Sequence, residues 1–307
     1  MLPGTVTAQS REYPNRPIRL IVGFVAGGPS DILARLIAHD LNVTLGQPVV
    51  VDNKPGADAN IAMDTVARST PDGYTLLLAQ SGMTINPAMY NSFKLRPDKD
   101  FTPIGMIGEA ANVVAVNSSV PVRSVEELIA YTKANPEKLN FASSSSPTRL
   151  ATEMLNAMAG TKMVMIPYKG TPPAVTDLLA GNVQVLISSV TTLQPQRQDR
   201  RLRFLATTGS KRAGLMSDLP TVAEKGIPGY EAVTWYGLAG PAKMPLDVVE
   251  KLEKALNAAL KKPELLEQMR GLGLDVRQRA PADFARFLKA DLAKWEDVVA
   301  KSGAKAE

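Results

Sequence analysis

Short apolar runs alternate along this chain with segments of helical hydrophobic spacing, and a polar turn separates each run from the helix after it. The clearest unit comes first. Residues 18–25 are apolar and rich in β-branched side chains, two glycines and a proline at residues 27–29 break the run, and residues 32–37 resume at helical spacing. The pattern predicts a strand, a glycine turn and a helix that begins at Pro29, where the missing amide hydrogen costs nothing.

The same unit recurs down the chain. Strands are predicted at residues 48–52, 74–79, 140–142, 163–167, 183–187 and 203–208. Residues 104–107 and 112–116 are expected as two separate strands, the second crossing into another domain, and the chain is expected to cross back near residues 229–238. Residues 245–262, 263–271 and 281–301 have alternating lysine and glutamate faces and are predicted as helices. Strands alternating with helices predict an α/β fold.

Capping signals place several helix boundaries. Ser124 and Thr221 each stand three residues before a glutamate, which is the capping-box spacing. Thr171 is expected to be the N-cap of a helix that ends at Gly181, and a short helix is expected to begin near Asn86.

The polar turns after the strands carry the candidate binding chemistry. In a doubly wound sheet, ligands lie at the carboxyl ends of the strands, so these turns are expected to face one guest. Glycines allow close backbone approach, and free amides at a helix N-terminus attract an anion. The first turn alone fits a plain strand-to-helix connection equally well, and its spacing lacks the G-x-G-x-x-G of a dinucleotide site.

Composition narrows the function classes. The 307 residues suffice for two domains, and the net charge of +5 comes from scattered basic residues, which argues against nucleic acid as a partner. No stretch approaches the roughly 20 apolar residues of a membrane span. The chain has no cysteine and one histidine, His39, which falls within the first predicted helix. A Ser-His-Asp hydrolase, a zinc site and any cysteine-based chemistry are therefore disfavoured.

Residues 1–9 are expected to be either the tail of a signal peptide or a disordered terminus. Residues 6–8 fit the small-residue pattern of a signal-peptidase site, although the apolar segment that should precede it is missing. A mature chain would then begin near Gln9.

Seven ordered motifs resemble those of the tripartite tricarboxylate transporter substrate-binding proteins, also called the Bug family. They are FVAGGPSD at residues 24–31, NKPGA at 53–57, PDGYTL at 71–76, PYKG at 167–170, DLLAG at 177–181, LPTVAE at 219–224 and GYE at 229–231. The likeness extends from Tyr13 over nearly the whole chain.

The resemblance implies a two-lobed, hinged periplasmic-binding-protein fold of type II, each lobe a mixed, mostly parallel sheet flanked by helices. Lobe 1 would comprise residues 10–108 plus 232–307, and lobe 2 residues 109–231. It also implies a periplasmic, non-catalytic, monomeric solute-binding protein without a cofactor, which passes a small carboxylate to a membrane transporter of the tripartite tricarboxylate type. A periplasmic α/β enzyme acting on a carboxylic acid and a ligand-loaded partner of a membrane sensor kinase stay open as alternatives.

In that family, the first two turns hold one ligand carboxylate through backbone amides and bridging waters, and the turns of lobe 2 set specificity. The candidate ligand-binding residues of this chain are Ala26, Gly27, Gly28, Ser30, Asp31, Ala57, Asp58, Ala59, Asn60, Gln80, Ser81, Ser144, Ser145, Ser146, Thr148, Arg149, Lys169, Gly170, Thr171, Ser188 and Ser189.

Three positions depart from the family pattern. Asp58 stands where the second turn is commonly small or glycine-rich, Arg149 where histidine is common, and Ser188 where aspartate is common. An arginine is mildly unfavourable in the first turn of a helix unless it reaches solvent or an anion. If the guanidinium of Arg149 faces the cleft, it could bind a second carboxylate bidentately, and the ligand would be an aliphatic or aromatic dicarboxylate.

Overall fold

The structure is a computed structural model that describes residues 13–304, so the predicted signal-peptide remnant lies outside the described residues. Its strands are β1 (Ile18–Val22), β2 (Val49–Asn53), β3 (Thr75–Gln80), β4 (Phe101–Asn117), β5 (Asn140–Ser143), β6 (Val164–Pro167), β7 (Val185–Ser189), β8 (Leu202–Thr207), β9 (Val233–Pro241) and β10 (Leu274–Arg279). Its helices are α1 (Pro29–Leu45), α2 (Asn60–Ala67), α3 (Gly82–Met89), α4 (Val125–Ala134), α5 (Ser146–Ala159), α6 (Thr171–Ala180), α7 (Val190–Leu193), α8 (Leu246–Ala259), α9 (Pro263–Gly271) and α10 (Pro281–Ser302).

The strands form a mixed sheet in the order β2-β1-β3-β9-β4-β7-β5-β6, with β8 and β10 also paired to β4. At one end β1 pairs in parallel with β2 and β3, and at the other β5 pairs in parallel with β6 and β7. The central strands β9 and β4 run antiparallel to their neighbours. This arrangement confirms the predicted two-lobed α/β fold of mixed sheets flanked by helices.

Strand β4 corrects the prediction of two separate strands. It is one strand of 17 residues, whose first part pairs with β9 up to Ala111 and whose second part pairs with β7 from Asn112. A glycine between the two predicted strands allows close packing. A side chain at Gly108 would meet the carbonyl oxygen of Asp275 in β10 at 2.6 Å. The strand β10 itself was not predicted.

The two capping-box predictions have different outcomes in the structure. The Ser124 hydroxyl accepts a hydrogen bond from the Glu127 amide at 3.2 Å and begins α4, as predicted. Thr221 and Glu224 also form both capping-box hydrogen bonds, yet only a turn follows. The glycines and the proline at residues 226–229 prevent a helix there, because Gly226 and Gly229 adopt positive φ and Pro228 lacks an amide hydrogen.

Two other helix starts were misplaced. Helix α6 has Gly170 as its N-cap, with φ of 113°, and Thr171 is its first residue rather than its cap. Helix α3 begins at Gly82 and not near Asn86, because the carbonyl of Ser81 already accepts hydrogen bonds from the amides of residues 84 and 85.

The C-terminal helix α10 packs against both α3 and α5. Its side chain Asp291 is 5% exposed and accepts hydrogen bonds from Thr84 Oγ1 (2.6 Å), Trp235 Nε1 (3.0 Å) and Trp295 Nε1 (3.2 Å). Lys294 lies 2.6 Å from its other oxygen. One buried carboxylate therefore joins α3, β9 and α10, and the helix assigned to lobe 1 by sequence also contacts lobe 2.

Candidate ligand-binding site

A cavity of about 240 Å³ lies between the strand ends of the two lobes. We call it the interlobe cleft. It is lined by Phe24, Pro29, Ser30, Asp58, Gln80, Ser81, Gly82, Asn86, Asn112, Ser145, Pro147, Thr148, Thr171, Ser188, Ser189, Thr192, Thr234 and Tyr236. Hydroxyl and amide side chains predominate in this lining, and the volume suits a small metabolite.

The first turn is built around Asp31. Its buried carboxylate accepts hydrogen bonds from the amide of Gly27 (2.9 Å), from Arg35 (2.9 Å) and from Asn53 (3.0 Å). The hydrogen bond from Arg35 is the largest influence and lowers the pKa of Asp31 to about 2. Gly27 needs its glycine because φ is 83°, whereas Gly28 has φ of −79°, which any residue adopts. The Asp31 carboxylate therefore holds the turn in shape.

The second turn places a carboxylate in the cleft. Residues Ala57, Asp58 and Ala59 form a short 3₁₀ turn in which all three have positive φ. Asp58 Oδ2 accepts hydrogen bonds from Tyr90 Oη and from Ser146 Oγ, each at 2.9 Å. Because Ser146 begins α5, this contact joins the two lobes across the cleft.

The lobe 2 side of the cleft is made of hydroxyl groups. Ser145 and Thr148 are 3.0 Å apart at their oxygens, and Ser144 and Thr171 are 3.1 Å apart. Ser189 at the end of β7 accepts a hydrogen bond from the amide of Thr192. These hydroxyls pair with one another near the α5 and α6 termini and can each donate or accept.

Four helices of eight or more residues, α1, α3, α5 and α6, present their N-terminal residues to the interlobe cleft. Such a terminus carries a partial positive charge and amides without a partner in the helix, although the prolines at residues 29, 147, 172 and 173 contribute none. No lysine, arginine or histidine of residues 13–304 lines the cleft. The site can therefore attract an anion through backbone dipoles without a cationic side chain. In the same part of the chain, no cluster of three or more histidine, aspartate or glutamate side chains could hold a metal ion.

Nine of the predicted site residues line the cleft, and the structure places the others nearby or outside it. The lining residues are Ser30, Asp58, Gln80, Ser81, Ser145, Thr148, Thr171, Ser188 and Ser189. The predicted residues outside the lining are Ala26, Gly27, Gly28, Asp31, Ala57, Ala59, Asn60, Ser144, Ser146, Arg149, Lys169 and Gly170. Several of these shape the walls through the hydrogen bonds described above.

Arg149 is half-buried on α5 and does not line the cleft. Burial raises the pKa of Glu153, one turn further along the helix, and a hydrogen bond with Asn156 and the charge of Arg149 oppose this rise. Lys169 is exposed and also lies outside the lining. The cation predicted to bind a second carboxylate is therefore not among the residues that line the cleft.

Nine lining residues were missed by sequence reasoning: Phe24, Pro29, Gly82, Asn86, Asn112, Pro147, Thr192, Thr234 and Tyr236. Asn112 was visible as the polar first residue of the second apolar run in β4. Thr234 and Tyr236 alternate along β9, as two residues on one face of a strand must. Nothing in the sequence indicates that this face of β9 points into a cleft.

The fold and the site together define a solute-binding protein. The family described as tripartite tricarboxylate transporter family receptor matches residues 33–304, and the chain belongs to this family. The resemblance drawn from the seven motifs is therefore confirmed.

Three similar proteins show how far the likeness extends. BugT of Bordetella pertussis is 34% identical over 297 residues, which are 95% of this chain and 91% of that protein. The structure of R. palustris Rpa4515 with adipate has 35% identity and a TM-score of 0.79, covering 95% of this chain and 99% of that one. MatC from Rhodopseudomonas palustris with bound malate has 30% identity and a TM-score of 0.76, covering 94% of this chain and 100% of that one.

Proposed function

We propose that this protein is a periplasmic receptor that captures a small carboxylate, of the dicarboxylate class, and delivers it to a membrane transporter of the tripartite tricarboxylate type. The family supports the receptor role and the location. Adipate in one relative and malate in another support a dicarboxylate. Among the described residues, no helix is both long and apolar enough to span a membrane.

The observation that carries the proposal is the convergence of four helix N-termini on a cavity without cationic side chains. Amides at a helix N-terminus donate to an anion at fixed positions, and hydrogen bonds to charged groups contribute about 1.5–3 kcal/mol each. Several such bonds suffice for micromolar affinity after the cost of association is subtracted.

The lining supports binding without catalysis. Asp58 and Tyr236 are its only titratable side chains among residues 13–304. Burial raises the pKa of Tyr236, so the phenol keeps its proton at neutral pH. A nucleophile paired with a base, which hydrolysis of an acid derivative requires, is not present in this set.

We also propose that the protein acts as a monomer whose two lobes close on the ligand. The change of partner along β4 at residues 111–112 and the start of β9 at Val233 support lobe boundaries near residues 109 and 232. A few strand-terminal residues can absorb a hinge rotation.

Isothermal titration with malate, succinate, adipate and glutarate tests the proposed function. At least one acid is expected to bind with a dissociation constant in the micromolar range. Absence of binding by the folded protein at about millimolar concentrations of every acid would refute it. Capture of transporter subunits from solubilised membranes by the loaded protein tests the partner.

A further inference from the structure

Asp58 is the one acidic side chain that lines the interlobe cleft within the described residues. Its position conflicts with the proposed ligand, because a carboxylate in a small cavity repels a second carboxylate at close range. No basic side chain of residues 13–304 lines the cleft to offset this repulsion. A ligand that enters must therefore present something other than an anionic oxygen to Asp58.

The side chain of Asp58 is held in place. Tyr90 Oη and Ser146 Oγ both donate to Oδ2 at 2.9 Å. Burial, followed by the nearby Asp58 charge, raises the pKa of Tyr90, so the phenol remains a donor at neutral pH. Two donors on one oxygen hold the carboxylate of Asp58 in this orientation.

The backbone of Asp58 is fixed as well. The buried Asn86 donates to the Asp58 carbonyl oxygen at 2.9 Å and to Asn60 Oδ1 at 2.6 Å. The segment passes so close to β1 that a side chain at Gly23 would lie 2.2 Å from Ala59 Cβ. Left-handed backbone costs about 1–2 kcal/mol per non-glycine residue, although aspartate tolerates it well. The surrounding contacts therefore hold the strained turn.

Only one of the two carboxylate oxygens is used by the protein. Both hydrogen bonds go to Oδ2, and Oδ1 accepts none from the residues that the structure describes. An ionised oxygen in a partly enclosed site needs a donor. Hydroxyl and ammonium groups are the donors that a small metabolite carries at neutral pH.

We propose that Asp58 determines which ligands bind. Among small carboxylates, it selects those that carry a hydroxyl or ammonium group on the carbon that faces Oδ1. The inference rests on the proposed function and narrows its ligand class to hydroxy acids and amino acids. Acids without a donor leave Oδ1 unsatisfied and are disfavoured.

Two matched pairs of acids test this selection by isothermal titration at neutral pH. L-malate is compared with succinate, and L-glutamate with glutarate, because each pair differs by one donor group. In the wild type, at least one donor-bearing acid is expected to bind about tenfold or more tighter than its partner. In Asp58→Asn this ratio should fall to within about threefold, since the amide offers a donor where Oδ1 stood and no longer carries a charge.

Three further variants separate selection from structure. Asp58→Gly removes the carboxylate and suits a positive φ, so it should lose the preference even if Asp58→Asn folds poorly. Asp64→Asn removes an exposed charge of α2 that pairs with Arg68 outside the cleft, and it should keep the preference. Ser146→Ala removes the contact between lobes while Tyr90 still holds the carboxylate, so affinities fall together and the ratio stays.

The outcomes are distinct. Wild-type binding without preference for the donor-bearing acid in both pairs overturns the inference and leaves the proposed function standing. So does an unchanged ratio in both Asp58 variants, which would make Asp58 a structural link between lobes. Failure of all four acids to bind the wild type overturns the proposed function and the inference together.

Discussion

A methyl group added at Gly23 should displace the short 3₁₀ turn of residues 57–59, which places Asp58 in the cleft. Gly23 follows β1 and is buried against the short 3₁₀ turn of residues 57–59. An ideal Cβ at this position would lie 2.2 Å from Ala59 Cβ and 2.9 Å from Ala59 Cα. Both are backbone-anchored atoms, so no side-chain rotation relieves the clash. Gly23→Ala must move the turn.

The size of the movement follows from these distances. Raising 2.2 Å to the 3.4 Å of ordinary contact requires a separation of about 1.2 Å. Overpacking of this kind costs about 1–3 kcal/mol of unfolding free energy. The same displacement breaks the 2.9 Å hydrogen bonds of neighbouring Asp58 to Tyr90 and Ser146, because such bonds do not survive at about 4 Å.

Thermal unfolding and isothermal titration measure the two effects. Gly23→Ala is expected to lower the Tm by a few degrees and to weaken binding of the preferred acid by about tenfold or more. Gly271→Ala at the exposed end of α9 is the matched control, because its φ is not in the left-handed region and an added Cβ meets no atom within 4 Å. Equal Tm values and affinities in both variants would refute the reasoning.

Three further perturbations have expected outcomes. Because the pKa of Asp31 is lowered to about 2 in the folded chain, its stabilisation is present above pH of about 4 and is lost as pH falls toward 2. Denaturant midpoints of the wild type and Asp31→Asn should therefore converge on acidification, and a constant gap would contradict this. Asp291→Ala leaves three buried donors without their acceptor and should lower the free energy of unfolding in urea by about 3 kcal/mol or more. The exposed Asp297→Ala should lower it by less than about 0.5 kcal/mol, and equal losses in the two variants would argue against the buried network. Raising NaCl from about 0.05 to about 0.5 M should weaken ligand binding less than about threefold, because backbone dipoles and not exposed cations hold the anion, and a steep salt dependence in titration would show otherwise.

Hydrophobic spacing predicted the elements of this fold well where strand, turn and helix follow one another locally. It failed on β4, because the interruption at residues 108–111 resembles a break between two strands. In the structure, Gly108 makes room for β10 and Asn112 lines the cleft. The first reason involves residues more than 100 positions away, and the second involves a space between lobes. A local sequence pattern contains no information on either.

The candidate site was predictable to a similar extent. Motifs located the turns, and several of their side chains line the cleft. The direction of individual side chains depends on hydrogen-bond partners that the sequence alone does not identify. Asp31 contacts Arg35 and Asn53 and does not line the cavity, and Arg149 does not line it either. Asp58 faces the cavity because Tyr90 and Ser146 hold it there.

The buried Asp291 carboxylate that joins α3, β9 and α10 also brings together the intrinsic tryptophan fluorophores of the molecule. The chain contains two tryptophans, Trp235 and Trp295, and both indoles donate to Asp291. Tryptophan emission from the unlabelled protein therefore comes from one place, where the C-terminal helix contacts both lobes. Any opening that slides α5 along α10 changes the surroundings of Trp295. Since the chain has no cysteine, a single introduced thiol can carry a dye as an acceptor, and energy transfer can follow the lobes in real time.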